Sequence, residues 1–107
     1  MYKNDNPTPI EKEIIKRLKY IYDPEMPVNI FDLGLIYNIE VNDNNDVKIT
    51  MTLTSPNCPV GELLPQQVVS ELQFMRELNK IEVDVTFEPP WDSDLISDEA
   101  KLDLGLL

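Results

Sequence analysis

Reactive chemistry has few places to sit in this chain, which holds one cysteine, Cys58, and no histidine. A lone thiol excludes an intrachain disulfide. Without a partner cysteine or a histidine there is no zinc finger and no imidazole acid–base catalysis. As a thiolate, Cys58 could act as a nucleophile or as a ligand for a soft metal. It lies in Thr54-Ser55-Pro56-Asn57-Cys58-Pro59. If a helix starts just beyond it, the unpaired N–H groups there favour the thiolate, and a carboxylate such as Glu62 in the first turn opposes it. The plainer alternative is a small buried apolar side chain, as lone cysteines often are. Two carboxylates, Asp23 and Glu25, stand two apart in the proline-interrupted stretch Asp23-Pro24-Glu25-Met26-Pro27. They suit metal or proton work, although Asp23 equally suits a turn or cap. Asp32-Leu33-Gly34 reads as a bend in which Gly34 takes a backbone conformation other residues resist. Trp91, in Pro89-Pro90-Trp91, reads as a lid over the core whose indole N–H needs an acceptor.

The elements that must position these groups follow from hydrophobic periodicity. Thr8-Pro9-Ile10-Glu11 has the composition of a capping box with proline at the first helical position. Ile10, Ile14, Leu18 and Ile21 recur on one face, predicting a helix from about Pro9 to Tyr22, ended by Pro24 and Pro27. Leu35 to Val41 alternates with its odd positions apolar, as a half-buried strand does. Val47, Ile49, Met51 and Leu53 alternate with Lys48, Thr50 and Thr52, and Asn42 to Asp46 is a turn by composition, so these strands form an antiparallel hairpin. A second helix spans Val60 to Asn79, with Pro65 near its start. Val83, Val85 and Phe87 mark a third strand, and Ser97 caps a short last helix.

The resulting order is α-β-β-α-β-α, an α/β (α+β) chain with a three-stranded mixed sheet covered by helices. Strand two, helix two and strand three form a βαβ unit, so strands two and three are expected to be parallel. Their carboxyl ends, and the beginning of strand one, then share one edge of the sheet. That edge gathers the Asp23-to-Gly34 loop, the Thr54-to-Pro59 loop and Pro89-Pro90-Trp91. Sites in open α/β sheets favour such an edge.

The 107 residues fit one domain, 1–107, with residues 1–8 expected to be flexible. Hydrophobic residues make up 42%, which argues against wholesale disorder. No apolar run is long enough to span a bilayer and the first residues do not read as a signal peptide, so a cytoplasmic protein is expected. Nine basic against twenty acidic residues give a net charge of −11, an unfavourable surface for nucleic acid or anionic membrane. Five of the nine basic residues, Lys3, Lys12, Lys16, Arg17 and Lys19, fall early, leaving the later chain acidic. That acidity reads either as a solvated surface or as a docking face for a basic partner.

Three segments in order carry a family likeness. Asp23-Pro24-Glu25-Met26-Pro27-Val28-Asn29-Ile30 with Asp32-Leu33-Gly34-Leu35-Ile36-Tyr37, then Thr54-Ser55-Pro56-Asn57-Cys58-Pro59, then Pro89-Pro90-Trp91 with Ser97-Asp98-Glu99-Ala100 and Leu104-Gly105, closely resemble the SufT-like, or MIP-type, metal–sulfur cluster assembly family. The likeness covers nearly the whole chain from about Ile10. It implies an iron–sulfur cluster assembly domain-like fold and a non-enzymatic accessory role in maturing iron–sulfur proteins. It implies partners among the assembly machinery and its apo-protein clients, and Cys58 as the residue most tied to activity. Asp23 and Glu25 match the family's acidic loop. Ending at Leu107 without a cysteine-rich extension favours the SufT-like over the PaaD-like branch. The Nfu-type scaffold has a similar topology but uses a Cys-Xaa-Xaa-Cys pair, which is missing here.

Iron–sulfur clusters take about four thiolates, and Cys58 supplies one. The expectation is therefore no tightly bound cofactor, with any cluster held transiently and shared with a partner or across a homodimer. The expected site is Cys58, lined by Asp23, Glu25, Asp32, Thr54, Pro59, Glu62, Pro90 and Trp91. The rival reading is a protein–protein adaptor with a structural cysteine. A thiol enzyme would need a base and a resolving cysteine that the chain does not have.

Overall fold

The computed structural model describes residues 5–23, 27–54 and 63–105. Helix α1 spans Pro9–Leu18. The anticipated capping box is in place: the Thr8 N–H donates to Glu11 Oε1 at 2.8 Å, and the Glu11 N–H donates to Thr8 Oγ1 at 3.2 Å. The helix is shorter than its periodicity suggests. After Leu18 the ladder tightens to three-residue bonds, Tyr20 N to Arg17 O and Ile21 N to Leu18 O, and Tyr22 forms an antiparallel bridge with Asn29. Ile21 stays buried through this tightened turn, so the apolar period outlives the helix.

Strands β1, Ile36–Val41, and β2, Val47–Met51, pair antiparallel as expected. Their connector is held by Asn42, whose Oδ1 accepts the N–H groups of Asn44 and Asp46 at 2.9 Å each. The Asn42 side-chain amide donates to Asp46, which is the main reason the Asp46 carboxyl is held below the usual aspartate value. Asn45 takes φ 61, the left-handed region that asparagine tolerates.

Two readings of the hairpin need correction. The register shifts between Ile36 and Asn38, a bulge that buries both Leu35 and Ile36 and leaves Tyr37 only half-buried. Strand β2 stops at Met51, and Thr52, read from sequence as a residue of the polar face, is fully buried. Its N–H still donates to Leu35 O at 2.8 Å, as a residue alternating with Met51 does, so Thr52 is covered without leaving its side of the strand.

Helix α2 spans Leu63–Leu72, with Pro65 in the first turn, where a helix needs no N–H from it. It ends before the predicted Asn79. The chain goes on in turns (Phe74 N to Glu71 O, Met75 N to Leu72 O, Leu78 N to Met75 O) that still bury Met75 and Leu78. Strand β3, Ile81–Val85, lies parallel to β2 and gives the sheet order β1-β2-β3. A 3₁₀ turn at Ser93–Leu95 precedes helix α3, Asp98–Asp103, where Ser97 Oγ accepts the Ala100 N–H at 3.2 Å.

The core lies between the helices and one face of the sheet. Ile14 and Leu18 of α1 and Leu64, Val68 and Leu72 of α2 bury against Ile39, Val47, Ile49 and Met51. Loop residues Ile30, Leu33 and Leu35 are as deeply buried as any strand residue, so the stretch entering β1 is part of the core. No described helix is long and apolar enough to cross a membrane.

Candidate functional site at the carboxyl edge of the sheet

The parallel alignment of β2 and β3 puts their carboxyl ends at one edge, and the antiparallel pairing of β1 puts its start there too. The main chain stitches the three together. Thr52 N donates to Leu35 O and Thr86 N to Met51 O, each at 2.8 Å.

Two side chains fasten the loops beyond this edge. The indole N–H of Trp91 donates to Leu33 O at 2.8 Å. The phenol of Tyr37 donates to Pro89 O at 2.7 Å. The Pro89-Pro90-Trp91 turn is thereby tied to the loop entering β1 and to β1 itself. Burial pushes the Tyr37 phenol above its usual value, and the adjacent Thr52 hydroxyl offsets part of that rise. Thr52 Oγ1 makes no hydrogen bond of good geometry among the described residues; it acts on the phenol as a near neighbour.

The Asp32-Leu33-Gly34 bend is built as its composition suggests. The Asp32 N–H donates to Asn29 Oδ1 at 2.8 Å, and the Asn29 amide returns a bond to Asp32 Oδ2 at 2.9 Å. Gly34 has φ +85, and a Cβ there would collide with Leu95 O. Its lack of a side chain therefore serves both the turn and the seating of the Ser93–Leu95 turn. The Ser97 N–H donates to Asp32 O at 2.8 Å, so α3 is pinned to the same bend.

The expected site residues are placed as follows. Trp91 is joined to the Asp32–Gly34 bend through Leu33, and Pro90 is exposed beside it. Asp32 lines a cavity of about 90 Å³ with Glu99 and Asp103, on the α3 side of the bend. Asp23 is buried, with its N–H directed to Val28 O at 3.4 Å. Thr54 is half-buried just beyond β2. Glu25, Cys58, Pro59 and Glu62 lie outside the described residues. Among the described residues, no group of three or more cysteine, aspartate and glutamate side chains is placed to hold a metal ion.

Sequence reading missed Tyr37 and Thr52. Strict alternation puts Tyr37 on the core side, which the bulge reverses, and it gives no sign that Thr52 is covered. The adjacent apolar pair Leu35-Ile36 was the available signal, because two successive apolar residues entering a strand mark a slip of face.

Comparison with known proteins places this architecture. A family described as iron-sulfur cluster assembly protein matches residues 11–85. A Porphyromonas gingivalis protein named Fe-S protein maturation auxiliary factor is 44% identical over 97 residues, covering 91% of this chain and 92% of that protein. The Staphylococcus aureus Fe-S protein maturation auxiliary factor SufT is 38% identical over 86 residues, covering 80% of this chain and 98% of its own. Among solved structures, a domain of unknown function from Bacillus anthracis superposes with a TM-score of 0.85 at 37% identity, covering 92% of this chain and 93% of that one. A conserved hypothetical protein from Thermotoga maritima superposes at 0.76 with 30% identity, covering 96% and 99%.

Proposed function

The chain belongs to the iron–sulfur cluster assembly protein family and is an accessory factor in iron–sulfur protein maturation, and we propose that it does this work without catalysis, through Cys58. The observation that carries the reading is the pair of bonds, Trp91 to Leu33 O and Tyr37 to Pro89 O, that fasten two motif loops at the end of β2. The segment bearing Cys58 leaves from that same strand end. Cys58 follows Thr54 by four residues, so chain length alone holds their backbones within about 14 Å.

In this reading the Cys58 thiolate binds iron or one corner of a cluster that is cargo. A single thiolate leaves most of the cluster's ligands to other chains. The donor or client protein, or a second copy, supplies them, and the cargo moves by exchange of thiolates with no net redox change. Incomplete ligation favours passage over storage. The setting is the cytoplasm, and the partners are the cluster assembly machinery and apo-proteins.

The test is Cys58→Ser in cells that depend on this protein, with iron–sulfur enzyme activities as the readout and circular dichroism to establish folding. Loss of those activities with the fold intact is expected. Unchanged activities would overturn the proposal and leave an adaptor whose cysteine is structural.

A further inference from the structure

We propose that the outer edge of β3 receives an extended, basic segment of a partner protein as a fourth strand. In the order β1-β2-β3, no described strand pairs with the outer edge of β3. Val47 N donates to Lys80 O at 2.7 Å, and Thr86 N donates to Met51 O at 2.8 Å. With the register Ile49 to Val83 and Met51 to Val85, the even-numbered residues turn their main-chain groups toward β2. The N–H and C=O groups of Ile81, Val83 and Val85 therefore point outward, at the spacing a new strand requires.

The two faces beside that edge differ. On the helix side Val85 is 39% exposed, and just beyond the strand end Phe87 is 40% exposed. A groove of about 410 Å³ runs between β3 and α2, lined by Pro65, Val69, Gln73 and Val83 among others. It is placed to take apolar side chains from alternate positions of an added strand. The opposite face carries Glu82 and Asp84, with Glu40 on β1 in the same row as Lys48 and Glu82. Lys48 bonds Asp84 at 3.3 Å, and its pKa is raised by Asp84 first, then by Glu82 and Glu40, the mark of a cation outnumbered by carboxylates. Lys80 is a second cation beside the start of this strand.

Charge complementarity therefore selects a segment with lysine or arginine alternating with apolar residues. A second copy of this chain fits poorly. Symmetric pairing of two β3 edges is antiparallel and brings Glu82 and Asp84 against their like, between chains of net charge −11 each. The strip continues through Phe87 to Pro89-Pro90-Trp91, so a docked segment ends beside the candidate site. The proposal deepens the accessory-factor reading by saying where a partner is held, and it rests on that reading only for the partner's biological role.

The experiment uses a fluorescein-labelled peptide of alternating lysine and valine, with fluorescence anisotropy on the full chain. Binding should weaken with added salt. N-methylation of the peptide at alternate residues, which removes strand hydrogen bonds but keeps charge and apolarity, should cost about tenfold or more in Kd. Glu82→Lys should weaken binding severalfold, and the Val83 and Val85 amides should gain protection from hydrogen exchange in the complex. Equal affinity for the N-methylated peptide, equal or better affinity for a glutamate–valine peptide, or no binding would each overturn the proposal. So would a concentration-dependent dimer that excludes the peptide. Cys58→Ser protein should bind normally. Failure of peptide binding leaves the Cys58 proposal standing, and silence of Cys58→Ser in cells leaves the docking result standing.

Discussion

Gly34 is where a turn and a tertiary contact make the same demand of one residue. Its φ of +85 costs an L side chain strain, and Leu95 O occupies the place a Cβ would take. Gly34→Ala is expected to lower stability on the order of 3 kcal/mol, read as a reduced urea midpoint at unchanged m-value. Because the contact is with main chain, no rotamer change relieves it. The left-handed turn was legible in Asp32-Leu33-Gly34, and the need of Trp91 for an acceptor was legible from its chemistry. Leu95 and Leu33 O as the partners were not, since each lies about sixty residues away in sequence and comes near only through the completed fold.

At the scale of elements, the bulge in β1 turns Tyr37 out of the core and onto the Pro89 carbonyl. Its phenol is raised above the ordinary value of 10.0 chiefly by burial, so the native state favours the protonated form. A raised pKa contributes stability that is fully present below the unfolded value and is lost as pH rises through the folded one. Tyr37→Phe should therefore lose stability relative to wild type at neutral pH by about 1 kcal/mol, and that difference should shrink as pH climbs past 10.0. Paired denaturation curves across the alkaline range check this. Helix and strand identities were readable because burial imposes periods of 3.6 and 2. Their ends were less so: after Leu18 and Leu72 the chain tightens into turns that keep Ile21, Met75 and Leu78 inside without remaining helical.

At the scale of the whole molecule, chain direction was the most legible property. A βαβ unit connected by one helix makes β2 and β3 parallel, and an adjacent hairpin then fixes where β1 begins. The region of the candidate site follows from that arithmetic of directions. The net charge of −11 has its own consequence, because mutual repulsion opposes compaction. Raising ionic strength from about 0.01 M to about 0.15 M shortens the reach of that repulsion and should raise Tm by a few degrees. A scan in sodium chloride tests it, with a flat or falling Tm as the contrary result. The fastening of the Pro89-Pro90-Trp91 turn sets a further pattern, in how the sequence is free to drift. Both bonds end on peptide oxygens, which every amino acid carries, so the accepting positions 33 and 89 tolerate change as far as these bonds are concerned. The donors have less latitude: each position needs a side chain that carries an N–H or O–H at the right reach, and descendants of this chain would be expected to keep Trp91 and Tyr37 long after their acceptors had been exchanged.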